Sequence, residues 1–403
     1  MTKEVKNVPD LRFPGFENTW ETKKLHQIVD VKDGTHESPK PTDDGYLLVT
    51  SKNLKNSTLD FSESYSISKE DYEDINKRSK VEIGDILFGM IGTIGNPILL
   101  EKDGFAIKNV ALLKTSSLQE REYILNFLKS NSITKQFYKL NVGGTQKFIS
   151  LRSIRDLKID IPSSEEAIKI GGFFNKLDQQ IELEEQKLSL LEEQKKGYMQ
   201  KIFSQELRFK DENGNDYPEW EDKLISDIGK VITGNTPSKK ENDYWNSNQY
   251  IWVTPTDISN KKNIYTSGYQ LSQKGFSKAR QLPKNTLLIT CIASIGKNAI
   301  LRIEGSCNQQ INAVIPNDNY DVDYLYYAFE DVSKLMKSIA GKTATQIVNK
   351  AVFEKLLLNV PIYEEQQKIS GFLNKVDILI DKQAQKIDEL KLRKQGFLQK
   401  MFV

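Results

Sequence analysis

A chain of 403 residues has room for two or three domains of ordinary size. Its 38% hydrophobic and 28% charged residues fit a folded polar protein, and no stretch approaches the roughly 18 continuous apolar residues of a membrane span. The opening MTKEVKNVPD lacks the apolar core of a signal peptide, so a cytoplasmic protein is expected, and a net charge of +2 neither demands nor excludes nucleic acid.

Taken from the start, residues 1–18 form a short leading segment and residues 19–161 a first mixed α/β domain. Its strands are short β-branched and aromatic runs such as YLLVTS, bounded by Gly, Pro, Asn and Asp. Gly84 to Asn96 (GDILFGMIGTIGN) reads as an apolar strand running into a turn of small residues. Glu122 to Leu140 reads as an amphipathic helical stretch whose tyrosines pack on its face. Leu157 to Glu166 (LKIDIPSSEE) ends a strand at the proline that opens the next helix. A long helix then occupies residues 162–207.

From residue 208 the same order repeats. Arg208, Phe209, Trp220 and Glu221 echo Arg12, Phe13, Trp20 and Glu21, and NTLLITCIASIGK (Asn285 to Lys297) echoes the earlier strand and turn. Asp323 to Gly341 echoes the helical stretch, and LLLNVPIYEE (Leu356 to Glu365) closes a second domain over residues 208–360. Residues 361–403 are a second long helix, and Glu364 to Phe402 aligns without a gap on Glu165 to Phe203. The chain is a tandem duplication of one unit, a mixed α/β domain followed by a long helix.

Both helices carry a heptad seam: Ile170, Phe174, Leu177, Ile181, Leu188 and Leu191 in the first, Ile369, Leu373, Val376, Ile380, Ile387 and Leu390 in the second. A helix of about 40 residues is about 60 Å long and needs a partner for such a stripe. The expectation is an α+β protein in which the two helices pair as an antiparallel coiled coil about a pseudo-twofold axis. The expected register sets Leu188 on Leu390, Leu191 on Ile387, Glu184 on Lys394 and Lys195 on Gln383. The alternative packs each helix on its own domain.

Pseudo-twofold symmetry with a rigid spacer suits two half-sites about one DNA turn apart. Tandem α/β domains, each followed by a helix reading like FLNKVDxxI and GFLQKMF, resemble the specificity subunits of type I restriction-modification systems over essentially the whole chain. DGTHESP (Asp33 to Pro39), GNTPS (Gly234 to Ser238) and WVTPTDI (Trp252 to Ile258) add to the likeness, with GGTQKFIS (Gly143 to Ser150) and GKTATQIV (Gly341 to Val348) similar to the family's Gly-Thr-Gln segment. The resemblance implies two target recognition domains, each reading half of a split site in double-stranded DNA. It also implies helices that set the spacer and dock two methyltransferase subunits.

Polar residues in these turns are the candidates for DNA contact: Thr35, His36, Thr93, Thr145, Gln146, Lys147 and Arg152 in the first domain, Thr236, Ser238, Ser294, Lys297, Lys342, Thr345 and Gln346 in the second. Arg155 lies beside the first group. Any one of them also fits ordinary surface charge or turn chemistry.

No catalytic or metal-binding residue is expected. Gly341-Lys342-Thr343 lacks the earlier glycine of a phosphate loop, because Met336 stands there. No Asn/Asp-Pro-Pro-Tyr/Phe methyltransferase loop is present. Cys291 and Cys307 read as buried thiols, and two histidines, His26 and His36, offer little for zinc or a Ser-His-Asp triad. The resemblance places S-adenosylmethionine on the methyltransferase subunits, and ATP and Mg on restriction subunits that translocate and cut DNA. It leaves exposed Glu182, Glu185, Glu192 and Glu193 as a docking face. The other readings are a coiled-coil scaffold without a DNA role, and a degenerate methyltransferase-nuclease fragment.

Overall fold

The computed structural model describes residues 7–55, 58–92, 94–115, 117–140, 148–245, 247–259, 261–341 and 347–403. The chain divides into two compact units, one of residues 1–187 with 383–403 and one of residues 188–382. The division falls inside both long helices, Ser164–Phe203 and Tyr363–Lys400, so each unit takes part of each.

In the first unit an antiparallel sheet runs in the order Asp30–Asp33, Val110–Lys114, Ile86–Gly89, Gly95–Leu99. A second sheet sets Tyr46–Thr50 between Tyr65–Ile67 and Ala106–Lys108, the latter pairing being parallel. The runs Ile86–Gly89 and Val110–Lys114 are almost wholly apolar because both faces of the sheet are covered. A short ribbon of Glu21–Lys24 with Lys158–Ile161 ties the start of the domain to the strand that feeds the long helix.

The second unit repeats the plan. Its main sheet runs Gly229–Thr233, Ile311–Pro316, Thr286–Thr290, Asn298–Leu301, with Asn263–Ile264 added at the edge. Tyr250–Val253 lies between Tyr269–Leu271 and Gly305–Cys307, and Glu221–Leu224 pairs with Leu357–Val360. The helical stretches differ. Val322–Ala340 is one helix, whereas the expected Glu122–Leu140 stretch is two, Leu118–Leu128 and Asn131–Leu140. The break falls at Lys129-Ser130, where both amides turn back to carbonyls three residues earlier, and Ser and Asn favour such local bonding over helix interior. Tyr123, Tyr324 and Tyr327 pack inward as expected; Tyr138 is exposed.

Each unit buries the end of one long helix in its core. Phe402 lies against Tyr123, Phe127 and Phe174 in the first unit; Phe203 lies against Trp220 and Tyr324 in the second. The base of the helix is held the same way in both. Glu166, wholly buried, accepts from Arg12 at 2.6 Å and from the Trp20 indole at 3.1 Å. Glu365, equally buried, accepts from Arg208 at 2.8 Å and from Trp220 at 3.2 Å. These contacts explain the repeated arginine, Arg12 and Arg208, and the repeated tryptophan, Trp20 and Trp220.

The helix segments inside each unit run antiparallel. In the first unit the Phe173 and Phe397 rings meet at 5.0 Å, Lys394 binds Asp178, and Gln383 and Lys386 both bind Glu184. In the second, Tyr198 meets Phe372 at 5.1 Å and Lys195 binds Asp377 at 2.7 Å. Inside the first unit Glu184 therefore meets Gln383 and Lys386 and not the expected Lys394, and inside the second Lys195 meets Asp377, each partner displaced by about one heptad. The expected pairs Leu188 on Leu390, Leu191 on Ile387 and Lys195 on Gln383 each join residues of different units. A heptad slide keeps apolar residues on the seam, so hydrophobicity alone does not select between the two registers. The lysine-to-aspartate pairs and aromatic contacts, related by the duplication, do. Ile170, Phe174, Ile181, Ile369, Leu373, Val376, Ile387 and Leu390 are buried; Leu177, Leu188, Leu191 and Ile380 are half-buried.

Candidate nucleic-acid interface

In each unit the turns singled out from the sequence converge on one short backbone segment. In the first unit this is Ile107 to Val110. The Gly34 amide donates to the Val110 carbonyl, the Thr35 amide to that of Ile107, and the Asn109 amide back to Thr35. Gly34 is there because nothing larger fits: a Cβ would stand 2.1 Å from the Ile107 carbonyl oxygen. Buried Ser51 donates to the Asn109 carbonyl at 2.9 Å and accepts from the Met90 amide at 3.2 Å, which draws in the Met90 to Gly95 turn.

The second unit builds the same junction on Cys307 to Ile311. Gly234 donates to Ile311 and Asn235 to Cys307, and a Cβ on Gly234 would meet the Asn308 oxygen at 2.1 Å. The Cys291 amide donates to the Gln310 carbonyl, and the Asn308 amide to Val253. Turns at the ends of the Tyr46–Thr50 and Tyr250–Val253 strands also match: the Thr50 amide is held by the Asn53 side chain at 2.8 Å, and that of Thr254 by Asp257 at 2.7 Å.

The two small-residue turns share a backbone as well as a sequence pattern. Gly92 and Ala293 both have positive φ, 71° and 63°, and so do Gly95 and Gly296, at 86° and 84°. Ala293 thus occupies a conformation that favours glycine. Thr290 holds the turn, donating through its hydroxyl to the Ser294 carbonyl and accepting from the Lys297 amide at 3.0 Å.

Of the expected contact residues, Thr35 and His36 lie on the first junction. His36 bridges Asn109 at 2.8 Å and Asp33 at 3.0 Å, and Arg78 binds the same aspartate. Arg152 is 94% exposed. Arg155, beside it in sequence, is exposed and also donates to the Val31 carbonyl at 2.6 Å. In the second unit Thr236 donates to Gln309 at 2.5 Å, Ser238 is exposed, and Ser294 and Lys297 line a depression of 380 Å³ together with Lys337. Thr93, Thr145, Gln146, Lys147, Lys342, Thr345 and Gln346 lie outside the described residues.

The structure adds residues that motif reading passed over: Asn109 and Gln309 at the junctions, and exposed Lys52, Thr256 and Lys337. The available signal was Thr followed three residues later by Asn or Asp, which fixes the strand-end turn carrying Lys52 and Thr256. Cys291 and Cys307 are buried, and burial pushes both thiols up to about 12. Glu185 pairs with Lys391, whereas Glu182, Glu192 and Glu193 remain exposed on the helix. Among the described residues there is no cluster of three or more His, Cys, Asp or Glu side chains that could hold a metal, and no helix long and apolar enough to cross a membrane.

What these turns offer is hydroxyls, amides and lysines on rigid strand ends, the groups that meet phosphates and base edges. A family model described as the type I restriction modification DNA specificity domain matches residues 17–193 and again 217–392. The chain belongs to that family. The MjaIX specificity subunit of Methanocaldococcus jannaschii is 34% identical over 44% of this chain and 43% of its own length, so the chain spans less than half of that relative. The putative MjaX specificity subunit of the same organism is 23% identical over 92% of this chain and 91% of its own. A crystal structure of the S subunit of a type I restriction-modification system from M. genitalium has the same fold, with a TM-score of 0.58, 15% identity, and coverage of 98% of this chain and 99% of that one.

Proposed function

We propose that this specificity subunit reads a two-part DNA site for a type I restriction-modification complex. Each α/β domain, residues 19–161 and 208–360, reads one half-site through its junction of turns, and the long helices set the spacing and dock two methyltransferase subunits. The observation that carries this is repetition: two junctions with the same glycine packing, strand-end turn and positive-φ backbone, each presenting different side chains. A shared frame with divergent side chains is what two readers of different half-sites require.

In this reading the chain supplies address and scaffold in the cytoplasm. Adenine methylation with S-adenosylmethionine, and ATP- and Mg-dependent translocation and cutting, belong to the methyltransferase and restriction subunits. The test is to express the complex, map its methylation motif, and then replace residues 19–161 with the matching domain of a relative. One half of the motif should change while the other half and the spacer stay. A swap that rewrites both halves or neither overturns independent reading. A complex that shows no salt-dependent binding to duplex DNA returns the chain to a scaffold.

A further inference from the structure

The two junctions share one more feature. In the first unit Ile91 and Phe148 form an isolated antiparallel bridge, and Ile149 donates from its amide to the Met90 carbonyl at 2.9 Å. In the second, Ile292 and Ile347 form the equivalent bridge, and Val348 donates to the Cys291 carbonyl at 3.0 Å. Alternation along the extended backbone sends Ile149 and Val348 into the cores, 3% and 1% exposed. It sends Phe148, Ile91 and Ile347 outward, 47%, 41% and 37% exposed, while Ile292 is half-buried and keeps contact with the core of its unit.

A single exposed apolar residue needs no explanation. A pair held rigidly by a bridge, at the same place in both copies, does. The surrounding turn has drifted from Gly-Thr-Ile-Gly to Ala-Ser-Ile-Gly, and phenylalanine has exchanged with isoleucine, yet all four positions stay apolar. Each pair stands on the turn that carries the interface, with exposed Arg152 four residues beyond Phe148 and exposed Ser294 and Lys297 just beyond Ile292.

We propose that each pair is a specificity contact for the C5-methyl group of a thymine in the major groove of its half-site. This rests on the DNA-reading function above and deepens it. The thymine methyl is the apolar group on a major-groove base edge, and it is read by apolar side chains. Two side chains cover one methyl group, whereas a protein partner would need a far larger patch. Backbone bridging fixes the direction of both Cα–Cβ bonds before binding, so only side-chain rotamers remain to be ordered by the contact.

The experiment uses the assembled complex and its mapped motif. Duplexes are made in which each thymine of the motif is replaced in turn by deoxyuridine, which removes only the methyl. The wild-type complex should lose about fourfold in affinity, the value of one buried methyl group, at one position in each half-site. Phe148→Ser should abolish the penalty in the half read by the first unit and leave the other intact; Ile347→Ser should do the reverse. Phe148→Leu should restore the first penalty, and because the sites are exposed the variants should melt with wild type. A wild type indifferent to deoxyuridine throughout, or serine variants that keep both penalties, overturns the proposal while DNA reading stands. Loss of methyltransferase binding in the variants, with unchanged DNA selectivity, overturns it in favour of protein docking. No binding of the mapped duplex by wild type overturns the underlying reading and the proposal with it.

Discussion

The base of the helix and the tip of the domain have fared differently under duplication. At the base, Arg12-Trp20-Glu166 and Arg208-Trp220-Glu365 repeat residue for residue with nearly equal distances. At the tip, the two loops after Gly34 and Gly234 leave the same glycine wedge and are then pinned by unlike means. The first uses His36 between Asn109 and Asp33, with Lys108 on Ser38. The second uses two indoles, Trp252 on the Asn235 carbonyl at 3.0 Å and Trp245 on that of Ser238 at 3.1 Å, on a longer loop that adds the short helix Asn242–Trp245. The part that meets the helices is fixed in both copies by the same buried carboxylate. The part that faces outward needs only some pin, and its chemistry is free to change.

The largest expected effect tests the fixed part. Glu166→Ala and Glu365→Ala each leave a buried indole N–H without its acceptor and a half-buried guanidinium without its carboxylate, and should each cost about 3 kcal/mol. Denaturant unfolding measures both. A loss below about 1 kcal/mol in one copy would mean that the two bases are alike in geometry only.

The shared wedge comes next. Gly34→Ala and Gly234→Ala push a methyl into a carbonyl oxygen of a backbone strand end, and each should cost about 2–3 kcal/mol through forced backbone movement. Equal costs would sharpen the view that the glycine is the last common element of the two loops.

The smallest effects should be the most selective. Trp252→Phe strips the indole N–H from the Asn235 carbonyl and should cost about 1 kcal/mol, relaxing selectivity in the second half of the methylated motif while sparing the first. His36→Ala should cost about 0.5 kcal/mol or less at its exposed position and act only on the first half. A variant of either loop that shifts both halves equally would break the separation of pins.

The duplication, the two long helices and most turns were legible because they are local or periodic. The helix register was not, since sliding by a heptad keeps apolar residues on the seam; Asp178, Asp377, Phe173 and Phe372 decide it through partners 174 to 224 positions away. The break at Lys129-Ser130 was hidden because amphipathic spacing continues across it. Within the interface, glycine and threonine motifs marked the turns, but Asn109, Gln309 and Lys337 come from strand and helix ends with no motif. Arg155 shows the converse: a charge beside the motif whose partner is a buried strand carbonyl.

The burial of Phe402 in the first unit bears on the order in which a ribosome can deliver the fold. Residues 188–382 form the second unit from one uninterrupted stretch, so all of it exists once that stretch has emerged. The first unit begins the chain, yet Phe397, Met401 and Phe402 pack against its core and the Leu11 amide binds the Lys400 carbonyl. At roughly 5–20 residues per second, those side chains arrive some tens of seconds after the rest of the first unit has been made. During that interval Tyr123, Phe127 and Phe174 lack their aromatic lid. The domain translated first is therefore the one finished last, and the nascent chain carries an open apolar face while residues 188–396 are being made.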